Sequence, residues 1–325
     1  MSSGSRAGSR ARGPLATLLA AATLATTVFR MASVAGQPAP DPPQEVTAVG
    51  IPGVIAAGTR PQLLRSGLDG TEGVIGMPDG SVLFCEFNLN RIVRIDLADH
   101  FATYLEDANR AIGLGFDRKG RLIAAQSRDP RVGVLAPTRL TLADSFAGQP
   151  LVRPNDLVID RKGGIYFSDP LPPRQLQFRE PPAGRIPLLF YITPSGKLMK
   201  LTEEVSKPNG VQLSPDEKTL YAVDGDRIEA FDVQPEGAAA NRREFAQVAG
   251  GDGLAVDSEG RLYVATAQGI QVVSPRGAVL GLIPTPVRIQ SIAFAGVDRR
   301  SLYAVGQGSV YRIALRVAGV KGRAK

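Results

Sequence analysis

The chain contains no tryptophan, a single cysteine and a single histidine. Cys85, set inside the strand-like run Val82-Leu83-Phe84-Cys85, has no partner for an internal disulfide. The fold must therefore rest on its apolar core, and C-x-x-C redox or zinc motifs are excluded. The sole histidine, His100, follows a strand in Leu97-Ala98-Asp99-His100 and reads as a surface loop residue. An H-E-x-x-H site and any mechanism built on a pair of histidines are excluded with it. The G-x-S-x-G elbow, the P-loop and the G-x-G-x-x-G fingerprint are missing as well, so the abundant glycine serves turns.

Long apolar runs are scarce too. Residues 15–29 are largely apolar but fall short of the roughly 20 residues that span a bilayer. Arg6, Arg10 and Arg12 precede this run, and Ser33-Val34-Ala35 offers small residues at the usual cleavage spacing. Residues 1–35 are thus expected to be a secretory signal peptide, giving an exported, periplasmic or extracellular chain without a stable membrane span. Residues 36–48, rich in proline, read as a linker, residues 49–315 as the folded body and residues 316–325 as a basic disordered tail. The formal charge of +7 belongs to the ends: four arginines leave with the signal peptide, four basic groups sit in the tail, and neither segment holds an acid. The body is close to neutral and shows no basic patch interleaved with aromatics, so nucleic acid is not an expected partner.

What the chain does contain is a repeat. Residues 153–170 run from Asn155-Asp156 through Leu157-Val158-Ile159 to a glycine-bearing turn and a second strand, Ile165-Tyr166-Phe167. This is the pattern of a β-hairpin. It recurs five more times, opened by Glu72, Ile112, Asn209, Asp252 and Gln290, at spacings of thirty-eight to fifty-four residues. Units of about forty residues with about four short strands each predict an all-β, six-bladed β-propeller. Residues 46–58 are expected to close the ring by pairing with the last strand, Ser309-Val310-Tyr311-Arg312-Ile313.

Equivalent positions of a propeller repeat come to one level, and the start of each innermost strand faces the axis. The openers Glu72, Asn155, Asn209 and Asp252 would then present hard oxygen donors, without sulfur or imidazole, to one point. That donor set suits one divalent cation, Ca²⁺ first, with Mg²⁺ or Mn²⁺ possible and Zn²⁺ less suited. The bland alternative is that Asn-Gly and Asp-Gly only form turns. An opening glutamate is no turn former.

These residues carry a family resemblance. Thr71-Glu72-Gly73, Arg153-Pro154-Asn155-Asp156 with Phe167-Ser168-Asp169-Pro170, Lys207-Pro208-Asn209-Gly210 and Gly251-Asp252-Gly253-Leu254-Ala255-Val256-Asp257 resemble the regucalcin (senescence marker protein) and gluconolactonase family over about residues 49–315. The resemblance implies a six-bladed propeller that hydrolyses small-molecule sugar lactones with one divalent ion in its channel. It implies Glu72, Asn209 and Asp252 as direct ligands, Asn155 beside the metal contacting substrate or its water, and Arg153 binding sugar hydroxyls or the ring-opening carboxylate. The second unit departs from the family pattern, with Ile112-Gly113 and Gln126-Ser127-Arg128 where many relatives carry Asn-Gly and Glu-His-Gly, and the tryptophan often found after the first glutamate is absent.

The expected chemistry is metal-assisted attack of water on a lactone, with Asp252, or failing that Glu72, as the base. Asp169 is expected to hydrogen-bond a metal-bound water. The proline-rich insertion 171–185, through Arg174, Gln177, Phe178 and Arg179, is a candidate to fold over the sugar. The alternatives are a non-catalytic propeller whose channel ion is structural and whose face binds a ligand or protein, and a metal-dependent esterase or organophosphate hydrolase.

Overall fold

The computed structural model describes residues 46–172 and 181–325. The expected signal peptide, most of the linker, and Arg174, Gln177, Phe178 and Arg179 lie outside the described residues. Those that are described form β-strands and turns, with no α-helix among them and hence none long and apolar enough to cross a membrane.

Six four-stranded antiparallel sheets follow one another along the chain. Their innermost strands are Thr71–Gly76, Ala111–Phe116, Leu157–Ile159, Pro208–Leu213, Leu254–Val256 and Ser291–Ala295. Each strand alternates its side chains between the two faces of its blade, so both faces must be covered. Val74 packs with Ala293 and Tyr303 of the sixth blade, and Ile75 with Leu114 and Ala124 of the second. Leu157 and Val158 divide in the same way between the second and fourth blades. Six separate apolar clusters result, one between each adjacent pair of blades, and the pair formed by blades six and one is among them. The sequence therefore shows apolar triplets where a half-exposed sheet would show alternation.

The ring closes as a mixed blade, but not with the expected segment. Gln62–Arg65 supplies the outer strand of blade six and pairs antiparallel with Ser309–Ala314, Gln62 opposite Arg312. Residues 46–58 are bent away from a strand by Gly50, Gly53 and Gly58, all at positive φ. Their apolar side chains Ala48, Ile51, Val54 and Ile55 instead wedge into the cluster between blades five and six.

Residues 316–325, expected to be disordered, are placed against the turn face of the ring. Val317 and Val320 are buried. The Gly76 amide donates to the Ala324 carbonyl, and Arg323 donates to the carbonyls of Leu213 and Ser214 and to Glu217. Composition suggested a solvated end. The carbonyls and carboxylates at that end of the channel offer these cations partners that composition cannot reveal.

His100 is 79% exposed and contacts Asp96. Cys85 is buried and free.

Candidate functional site at the opener ring

All six innermost strands start on one face of the ring, and the start of each meets the start of the next. A Cβ added to Gly73, which follows Glu72, would lie 2.1 Å from the Ile112 carbonyl oxygen, and one on Gly113 would lie 2.4 Å from that of Asn155. Val211 donates its amide to Asp156 Oδ2 at 2.9 Å, joining the third and fourth strands. The amides of Gly210 and Gly253 donate to the carbonyls of Asp252 and Gln290 at 3.2 and 2.8 Å. Gln290 Nε2 then donates to Glu72 Oε1 at 2.5 Å and completes the circuit. The glycine after an opener is what lets neighbouring backbones approach this closely.

Two carboxylates and three carboxamides, Asn155, Asn209 and Gln290, thus share one ring. Asp252 and Asn155 are each 8% exposed, while Glu72 and Asn209 are partly covered. Burial raises the Glu72 carboxyl well above its ordinary range and the negative charge of Asp252 raises it further, with Arg153 and the Gln290 hydrogen bond opposing. Burial also pushes Asp252 up to about 6, against the pull of Arg288 and Arg153. Desolvation of charge that is only partly compensated is the cause in both cases. Among the described residues no three His, Cys, Asp or Glu side chains gather as a metal-binding group. The ring's other oxygen donors are amides. Ile112, the opener without a donor, is buried.

Arg153 is held at the ring by its backbone. Asp169 Oδ1 accepts the Arg153 amide at 2.6 Å, both Asp169 oxygens accept the Val152 amide at 3.1 Å, and Arg185 pairs with Oδ2 at 2.6 Å. With its oxygens engaged in this way Asp169 anchors the Arg153 loop. The Arg153 guanidinium lies close enough to Glu72, Asp252 and Asp169 for all three to favour its charged form, while burial opposes it.

Three participants received no role from the sequence, although Asp156 stands inside the Arg153-Pro154-Asn155-Asp156 motif. Arg288 donates from Nη2 to Asp252 Oδ2 at 3.2 Å. Asp156, beside Asn155, lies near enough to Glu72 and Asp252 to raise both. Lys325 Nζ enters from the turn face, 2.5 Å from Asp156 Oδ1 and 3.3 Å from the Val211 carbonyl. Arg288 carried a signal that went unread, because it stands two residues before an opener as Arg153 does. Lys325 carried none.

Comparison with known proteins bears on the family and the fold. The family model described as "SMP-30/Gluconolactonase/LRE-like region" matches residues 70–306. A gluconolactonase of Zymomonas mobilis is 28% identical over 206 residues, covering 58% of each chain. The chain spans only about half of the length of the first curated relatives it matches. Among solved structures, a gluconolactonase of Xanthomonas campestris superposes with a TM-score of 0.73 at 26% identity, over 84% of this chain and 97% of that one. A regucalcin of Agrobacterium tumefaciens, described as a calcium-binding protein, shares the fold with a TM-score of 0.66 at 18% identity, over 80% and 95% of the two chains.

Proposed function

Because the chain belongs to the SMP-30/gluconolactonase/LRE-like family, we propose that it hydrolyses a lactone at the opener ring, with one divalent cation held by Glu72, Asn155, Asn209 and Asp252. The observation that carries this is the convergence of Glu72 and Asp252. Two desolvated carboxyls, of which Asp252 raises the proton affinity of Glu72, form a site a hard cation relieves, and flanking carboxamides add neutral oxygen donors. Ca²⁺ suits such an all-oxygen set. The calcium-binding regucalcin of the same fold and the gluconolactonases among the relatives support the same assignment.

A cation bound there supplies Lewis-acid polarisation of the lactone carbonyl. The chain's own residues do the rest. Asp252, buried in the ring, is the carboxylate placed to take a proton from the attacking water. Arg153, immobilised through Asp169, donates to substrate oxygens, and the Asn155 carboxamide orients substrate or water against the ring. Water adds to the acyl carbon, the ring C–O bond breaks, and the ring oxygen leaves with a proton as the hydroxyl of a hydroxy acid. At neutral pH that acid ionises.

Proton release from glucono-δ-lactone and a panel of lactones, with and without chelator, tests the proposal. Turnover that chelator abolishes and calcium restores is expected. No metal-dependent turnover on any lactone would discard it in favour of a binding module, and turnover confined to phosphotriesters would favour the esterase alternative.

A further inference from the structure

Above the openers lies a second tier. The residues two positions before the six openers are Gly70, Arg110, Arg153, Lys207, Gly250 and Arg288. Four are basic and none is acidic. These positions lie in the loops that lead into the innermost strands, with Gly70, Arg110 and Gly250 at positive φ, on the face where those strands begin. A basic residue at this position therefore rims the mouth of the channel. Contacts bear this out where they can be checked. Arg288 reaches the Asp252 carboxylate, and Arg153 acts on both Glu72 and Asp252. Arg110 flanks Ile112, the opener that brings no donor, and its Nε is buried without a hydrogen-bond partner. Lys207 is exposed, with its stem against Gly225.

Of the other acids near this rim, Asp156 is paired with Lys325, Asp169 is shared between Arg185 and Arg153, and Asp226 accepts the Gly250 amide. A divalent cation between Glu72 and Asp252 would also compete with Arg288 for the Asp252 carboxylate. The occupied site then carries surplus positive charge at its entrance, which a neutral sugar lactone leaves unmatched. A guanidinium fork matches a carboxylate through two parallel hydrogen bonds. We propose that the rim of Arg110, Arg153, Lys207 and Arg288 selects lactones that carry a carboxylate at the end remote from the lactone carbonyl.

This inference rests on the lactonase assignment, and the test separates the two. Rates are compared for D-glucaro-γ-lactone and D-glucono-γ-lactone, which differ by carboxylate against hydroxymethyl, in calcium at low and high salt. In parallel, calorimetry measures binding of the open-chain products glucarate and gluconate. The native chain is expected to favour the anionic lactone by about tenfold in kcat/KM, mostly through KM, with the preference shrinking as salt rises. Arg110→Gln and Arg288→Gln are each expected to move the ratio toward one. Equal or weaker handling of the anionic lactone and equal binding of the two products by the native chain, which need no variant to fold, would overturn the inference. If neither these two nor any lactone of the wider panel is turned over the lactonase assignment fails, and the binding comparison still decides the rim: preferential glucarate binding upholds it and equal binding overturns it.

Discussion

Glu72 and Asp252 are the residues on which the site turns, and their raised proton affinity has a thermodynamic consequence. Both carboxyls lie above their ordinary values of 4.5 and 3.8 in the folded chain, Asp252 at about 6. The folded state thus binds protons more tightly than the unfolded one, and stability is lost as pH rises through the interval between the two values. Asp79, Asp117 and Asp216 are shifted downward and act below this interval. A chelator-treated chain should therefore melt at lower temperature at about pH 7 than at about pH 5, and calcium should flatten or reverse that trend. Melting curves across this range, with and without calcium, check it. The same slope in both would show that no cation sits between the two carboxyls. At this scale the openers were legible because they recur in phase with a repeat. Asp156 and Lys325 were not, because an ion pair between residues 169 positions apart leaves no local pattern.

Among elements, the innermost strand carries the greatest constraint, and a glycine inside it is not equivalent to one in the turn that follows such a strand. Gly73 combines a positive φ of 56° with a backbone oxygen 2.1 Å from where a Cβ would sit. Gly120 has a φ of 71° but open space around it. Gly73→Ala should destabilise the chain by about 2–4 kcal/mol, from strand displacement added to backbone strain. Gly120→Ala should cost about 1 kcal/mol, from strain alone. Denaturant unfolding of the two variants measures the difference, and equal losses would mean that the openers do not touch as described. The hairpins were readable from apolar triplets and turn residues. The Asp-x-x-Gly turns bear this out, since Asp160 Oδ1 accepts the amides of Lys162 and Gly164 while Gly163 takes a positive φ. The closing strand was misassigned for a physical reason. Gln62–Arg65 is a short edge strand, largely exposed, and carries little apolar signal. The more apolar residues at 46–58 bury themselves without extending.

At the scale of the whole molecule, six apolar interfaces in a closed circuit force equivalent positions of the repeat to a common level. The channel then becomes one chemical environment, assembled from residues as far apart in sequence as Glu72 and Gln290. Periodicity foretold the ring. It did not foretell that residues 316–325 would lie against the turn face and bring Lys325 to Asp156, because that placement depends on what the assembled channel offers.

Calcium titration calorimetry on the native chain and on Asp252→Ala bears most directly on the claim that the openers hold one hard cation. The native chain should bind one ion per molecule, and the variant, folded by its melting curve, should bind none or bind about a hundredfold more weakly. No uptake by the native chain, or equal uptake by the variant, would contradict it.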